Sequence, residues 1–191
     1  MSEVEVPQVG VGPHPQPWPD DPRLDPGLLT EGDRRNVGDE YRYWSMDAIR
    51  ADLDKRRHPV HVAVENWEKD LNLGSIVRTA NAFLVAEVHI VGEKRWNRRG
   101  AMVTDRYQHV RHHPSVEAFG EWTQESGLPV LGIDILEGSR PIETYDLPRA
   151  CVMFFGQEGP GMSPQAQALC DVMLHISQFG STRSINASAA A

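Results

Sequence analysis

Apolar residues recur along this 191-residue chain in two rhythms, and from about residue 60 onward the two alternate. Short apolar, β-branched runs occupy 60–64 (VHVAV), 86–91 (AEVHIV), 128–135 (LPVLGIDI), 150–155 (ACVMFF) and 172–176 (VMLHI). Between them the spacing predicts helices over 72–84, 115–126, 163–170 and from 184 onward. Strands that alternate with helices build a parallel sheet, and runs this continuously apolar suit strands buried on both sides. The expected fold class is therefore α/β, a parallel sheet with helices on both faces. One earlier helix is predicted to begin at Ser45, a favourable N-cap, and to carry Met46, Ile49 and Leu53 through to Arg57, ahead of Pro59. No internal repeat is present in the sequence.

Ahead of that helix the pattern fails. Seven of the fourteen prolines lie within 7–26, among few large apolar groups. This composition predicts a disordered or extended arm over 1–40 and one domain over 41–191. Charge follows the same division. The net charge of −8 is unpromising for a protein that binds polyanions, yet residues 1–40 hold nine acids against three bases and leave only −2 for the remainder. Within 93–113, Lys94, Arg95, Arg98, Arg99, Arg106 and Arg111 oppose only Glu93 and Asp105, beside three histidines. A local patch of this kind can engage phosphates even when the total is negative.

No apolar run approaches the roughly 18 residues of a membrane-spanning helix, and the opening MSEVEVPQVG lacks the basic and apolar regions of a secretion signal. A cytoplasmic location is expected, with no membrane partner. Cys151 falls in an expected strand and Cys170 at an expected helix end, so both are read as reduced structural thiols, with no metal site.

Ligands of open α/β sheets bind beyond the carboxyl ends of the strands, and three segments there carry candidate chemistry. NLGSIVRTANAF (72–83) places Ile76, Ala80 and Phe83 on one helical face and leaves Arg78 off it. FFGQEGPGMSP (154–164) sets glycines and one glutamate between a strand and a helix capped by Ser163, with Pro164 in the first turn. It contains neither a P-loop lysine nor a dinucleotide fingerprint, which argues against another doubly wound nucleotide-binding enzyme. ISQFGSTRSINASAAA (176–191) leads through Gly180 to Ser184, Asn186 and a run of small residues.

Taken together, these segments resemble the three signature motifs of the SpoU/TrmH methyltransferases of the SPOUT superfamily, over roughly residues 60–191. ENWEKDLNLGSIVRTANAF, from Glu65, is similar to the first motif, FGQEGPGMS to the second and GSTRSINAS to the third. The resemblance implies a C-terminal deep trefoil knot and an active site formed between the two subunits of a homodimer. It also implies transfer of a methyl group from S-adenosylmethionine to a ribose 2′-hydroxyl of RNA, with tRNA ahead of rRNA. Asn72, Arg78, Glu158, Ser184 and Asn186 fall on its catalytic positions. Phe155, Gly156, Glu158, Gly159, Gly161, Ile176, Gln178, Gly180, Ser184 and Ile185 fall on its cofactor positions, and the basic patch from Lys94 to Arg111 is the expected RNA contact. Three positions depart from the pattern: Ser177 replaces a proline, Gln178 an apolar residue and Leu84 a glycine. The helix from 184 onward is also longer in the family than the residues up to Ala191 allow. These departures leave a catalytically inactive SPOUT-like RNA-binding protein as the alternative.

Overall fold

The structure, a computed structural model, describes residues 10–67, 72–157, 159–181 and 184–191. It divides into two compact units, Met1–Lys55 and Arg56–Ala191.

In the first unit α1 (Pro26–Glu31) is capped by Asp25, and α2 (Met46–Asp54) by Ser45, whose side chain accepts from the Ala48 amide. Leu29, Tyr41, Ile49 and Leu53 form its buried apolar residues. Asp33 is wholly buried and accepts from the Arg35 guanidinium at 2.7 and 2.8 Å and from the Tyr43 amide at 2.9 Å. Arg23 lies 4.1 Å over the Trp44 ring. Residues 10–40 thus differ from the arm expected of them, and the boundary falls after Lys55 rather than at residue 40. Their order rests on this buried carboxylate and on ring contacts, which leave no apolar period in the sequence.

The second unit runs β1 (His58–Asn66), α3 (Leu73–Ala82), β2 (Val85–Gly92), β3 (Val110–His113), α4 (Val116–Ser126), β4 (Val130–Ile133), β5 (Arg140–Pro141), β6 (Cys151–Phe155), α5 (Pro164–Leu169), β7 (Val172–His175) and α6 (Ala187–Ala190). All seven strands pair in parallel, in the order β3-β2-β1-β6-β4-β7-β5. Alternation along each strand divides the buried residues between two layers. Val62, Val64, Ile90, Leu131 and Phe155 join Leu73, Ile76 and Val77 of α3 on one side. Ala63, Val91, Val152 and Phe154 join Phe119 of α4 and Ala166 of α5 on the other. Helices therefore cover both faces, as the periodicity predicts.

Between β2 and β3 the chain makes 3-10 turns at Arg98–Ala101 and Thr104–Arg106. The first is fastened to the start of α3, where a Cβ on Gly74 would lie 2.8 Å from the Asn97 carbonyl oxygen and the Gly100 Cα. Only glycine permits that approach. The basic loop is thereby held against the helix that carries Arg78.

Candidate active site

The loops that follow β4, β6 and β7 enclose a cleft of about 420 Å3 together with α6. Its volume lies within the range usual for small-molecule sites, roughly 300–1,000 Å3. Eight of the expected cofactor residues line it: Phe155, Gly156, Gly159, Gly161, Ile176, Gln178, Ser184 and Ile185. Gly180 does not. It is exposed, with no atom within 4 Å of an added Cβ, so it turns the chain without touching the cleft. Glu158 lies outside the described residues.

The loop after β6 is anchored at both ends. Gln157 and Gly161 exchange backbone hydrogen bonds of 3.1 Å, closing a tight turn. A Cβ on Gly156 would meet the Met162 amide nitrogen at 2.2 Å, so a larger residue would open that turn. On one side Asp134, at the end of β4, accepts from the Met162 amide at 2.9 Å. On the other, Glu65, at the end of β1, is wholly buried and accepts from the Ser163 amide at 2.8 Å, the Ser163 hydroxyl at 2.7 Å and the Trp67 indole at 3.0 Å. Trp67 in turn donates its amide to Gln157 Oε1 at 3.1 Å. The ends of β1 and β4 thus clamp the glycine-rich loop between them.

The segment after β7 has a comparable clamp. Ser177 donates its amide to Glu143 at 2.8 Å and its hydroxyl to the other carboxylate oxygen at 3.2 Å. A proline at 177 has no amide to give, so serine substitutes a hydrogen-bonded tether for a fixed ring. The Glu143 carboxyl is held below its usual range first by its own amide and then by that of Ser177. Beyond it, Ser184 and Asn186 line the cleft, and Asn186 donates to Asn72 Oδ1 at 3.0 Å. The structure therefore unites Asn72, Ser184 and Asn186. Arg78 stands exposed on α3 and does not line this cleft.

All six basic residues of the expected RNA patch are exposed. Two are partly neutralised: Arg111 lies on β3 and bonds Glu87 at 3.0 Å, and Arg98 lies 3.6 Å from Asp105 and 5.5 Å from the Trp96 ring centre. Lys94, Arg95 and Arg99 have no ion pair among the described residues.

Sequence reasoning assigned no role to Glu65, Asp134 or His175. Asp134 and His175 line the cleft as single polar residues at strand ends, without a motif around them. For Glu65 the available signal was a carboxylate closing the apolar run VHVAV. A second polar group, also unforeseen, lies under α4. His61 and His89 approach at 3.0 Å and His89 and His113 at 2.9 Å, packed against Phe119 and Trp122. Burial pushes all three imidazoles below their usual range, and His89, flanked by the other two, falls to about 2. His61, Glu87 and His89 place donor atoms within 4.8 Å of one another, the spacing a metal ion requires. In this arrangement His61, His89 and His113 are hydrogen-bonded in series, and Glu87 accepts from Arg111. Both cysteines are free, and burial raises the Cys170 thiol to about 12, consistent with inert thiols.

The tRNA (guanosine(18)-2′-O)-methyltransferase of Thermus thermophilus is 31% identical to this chain over 143 residues, covering 73% of each protein. The Escherichia coli K12 enzyme of the same name is 27% identical over 141 residues, covering 72% of this chain and 62% of that one. Among solved structures, the A. aeolicus TrmH/SpoU tRNA modifying enzyme matches with a TM-score of 0.66 at 21% identity, over 76% of each chain. The SpoU methyltransferase AviRb from Streptomyces viridochromogenes, solved with AdoMet, matches with a TM-score of 0.62 at 22% identity, over 73% of this chain and 56% of that one. At such identities the solved structures establish the shared fold. The sequence model of the SpoU rRNA Methylase family matches residues 59–191, which include all three motif segments, and the chain belongs to that family.

Proposed function

We propose that this protein is an S-adenosylmethionine-dependent RNA methyltransferase that modifies a ribose 2′-hydroxyl, with tRNA as its substrate ahead of rRNA. The observation that carries this reading is the convergence of the three motif segments: two wall the cleft, and the first is tied to it through Asn72 and Asn186. The names of the relatives from T. thermophilus and E. coli support tRNA and the 2′-oxygen.

The cleft fits the cofactor on its own terms. It combines apolar side chains (Ile133, Ile176, Ile185) with the glycine-rich loop after β6 (Gly156, Gly159, Gly161) and with polar side chains (Asp134, His175, Gln178). When bound there, S-adenosylmethionine supplies an electrophilic methyl group on a sulfonium. The chain must then align a ribose oxygen with that methyl and ease the loss of its proton. A guanidinium has no lone pair to offer a proton and five N–H donors, so the role of Arg78 is to grip a neighbouring RNA phosphate or to stabilise the developing alkoxide. Asn72, Ser184 and Asn186, with Glu158, orient the ribose and the cofactor. Lys94, Arg95, Arg98, Arg99 and Arg106 steer the RNA backbone, held beside α3 by the Gly74 contact.

Three further features belong to the same reading. The exposed position of Arg78 outside its own cleft supports a homodimer in which each arginine serves the partner's site. The placing of β4 between the later strands β6 and β7 supports a C-terminal deep trefoil knot. The RNA substrate supports a cytoplasmic location; among the described residues no helix is long and apolar enough to cross a membrane.

The test is nucleoside mass spectrometry of tRNA and rRNA from cells with and without the gene, alongside melting of the purified protein. One 2′-O-methylnucleoside should vanish from tRNA, and S-adenosylhomocysteine should raise the melting temperature by linkage. Unchanged nucleosides, with melting raised by NAD or ATP instead, would overturn the proposal.

A further inference from the structure

Two neighbouring strands set three donor side chains on the face that Phe119 and Trp122 of α4 cover, and none of the three lines the cleft. His61 of β1 and Glu87 of β2 are direct register partners, and His89 follows Glu87 two residues on, on the same face. His61 Nδ1 lies 3.0 Å from His89 Nε2, which lies 3.7 Å from Glu87 Oε2, and one donor atom from each residue falls within 4.8 Å of the others. Ligand atoms about 2.0–2.2 Å from a tetrahedral zinc ion stand roughly 3.3–3.6 Å apart. The measured pair brackets that spacing, and shifts of a few tenths of an ångström bring both contacts to it. The parallel ladder, rather than a loop, holds the donors in place.

The surroundings suit a metal ion. His89 is wholly buried, and its other ring nitrogen, Nδ1, lies 2.9 Å from His113 Nε2. A neutral imidazole carries one proton. With that proton on Nδ1 and donated to His113, the Nε2 lone pair of His89 is free, and His113 is the outer partner that metal-binding histidines ordinarily have. His61 ligates through Nδ1 with its own proton on Nε2, so no proton has to leave the pair. Burial pushes both imidazoles below their usual range and keeps them neutral, the form that ligates. His61 and Glu87 are half-buried, which leaves a way in from solvent. Arg111 competes for the carboxylate, donating to Glu87 at 3.0 Å, but half of its side chain is exposed and free to turn aside. Two imidazoles and one carboxylate suit zinc, whereas calcium and magnesium take oxygen donors. We propose that His61, Glu87 and His89 bind one zinc ion, with water in the fourth position, linking β1 to β2 beneath α4. The expectation of no metal site rests on the two cysteines, which take no part in this one.

The test is titration of zinc into untagged, chelator-treated, full-length protein, followed by calorimetry and by thermal melting. The parent should take up one equivalent at micromolar zinc, and its melting temperature should rise with zinc concentration, by linkage to the folded state. His61→Gln and Glu87→Gln, each altering a half-buried residue, should bind at least about tenfold more weakly, since losing even an outer partner costs that much. His58→Gln, at an exposed histidine that begins β1, should bind as the parent does. Arg111→Ala should bind at least as tightly as the parent, because the competing guanidinium is gone. No saturable uptake by the parent at micromolar zinc, or equal affinity in the parent, His61→Gln and Glu87→Gln, would overturn the site.

Discussion

Asn186 donates from Nδ2 to Oδ1 of Asn72 across 3.0 Å, joining residues 114 apart in the chain. The same Asn186 caps α6, its Oδ1 accepting from the Ser188 amide at 2.9 Å. One side chain therefore closes the far wall of the cleft and ties it to the start of α3. Asn186→Asp keeps the capping oxygen and loses the donor to Asn72. Helicity and melting should stay near those of the parent, while affinity for S-adenosylhomocysteine should fall about 2- to 10-fold, the net worth of one hydrogen bond. Calorimetry that finds unchanged affinity would show that the tether does not shape the cleft.

The clamp at Glu65 gives a stability prediction. Three donors converge on this buried carboxylate, and Glu65→Gln turns an acceptor into an amide that faces them. The loss should be about 2 kcal/mol, or about 4–8 °C in melting temperature for a chain of this size. Calorimetric melting within 1 °C of the parent would contradict the clamp.

The histidine chain sets a pH dependence. His89 stays neutral in the fold because burial lowers it to about 2, whereas in the unfolded chain it takes a proton near 6.5. Stability is therefore complete above pH 6.5 and falls as the pH drops, by about 1.4 kcal/mol per unit from His89 alone. His61 and His113 are lowered in the same direction and add to the slope. Denaturant melts between pH 7.5 and 5 should show this decline, with a shallower slope in His89→Gln. Equal slopes would remove His89 as its source.

For RNA, the exposed arginines of the basic loop matter most. Arg95→Ala, Arg98→Ala and Arg99→Ala together should weaken binding and reduce the salt slope by about 2 to 3, near one unit for each phosphate no longer neutralised. Arg111→Ala should change it less, since that guanidinium already bonds Glu87. Filter binding at several salt concentrations distinguishes the two, and identical slopes would place the RNA elsewhere.

How far the sequence foretells this architecture varies by element. The strands through Val62, Ile90, Leu131, Phe154 and Leu174 lie in apolar runs because burial on both faces demands them. β3 did not stand out, because Val110–His113 carries an arginine and two histidines and reads as part of a basic loop. The walls after β6 and β7 were legible from their glycines and small residues. Asp134 and His175 were not, because a single polar residue at a strand end acquires its role only when parallel pairing brings strand ends together. The tethers of Glu65 to Ser163 and of Ser177 to Glu143 span 98 and 34 residues and leave no periodic trace.

The central claim is methyl transfer to tRNA ribose, measured in single turnover with purified protein, S-adenosylmethionine and unmodified tRNA, and read by nucleoside mass spectrometry. The parent should form one 2′-O-methylnucleoside. Arg78→Ala, folded and of the same mass as the parent by scattering and still able to bind S-adenosylhomocysteine, should be slower by at least about 100-fold, the usual contribution of a positioned electrostatic group. Arg78→Lys should regain little of that rate, because lysine lacks the planar fork. A parent that binds cofactor and tRNA yet transfers no methyl group, or an Arg78→Ala protein within about threefold of the parent rate, would contradict it.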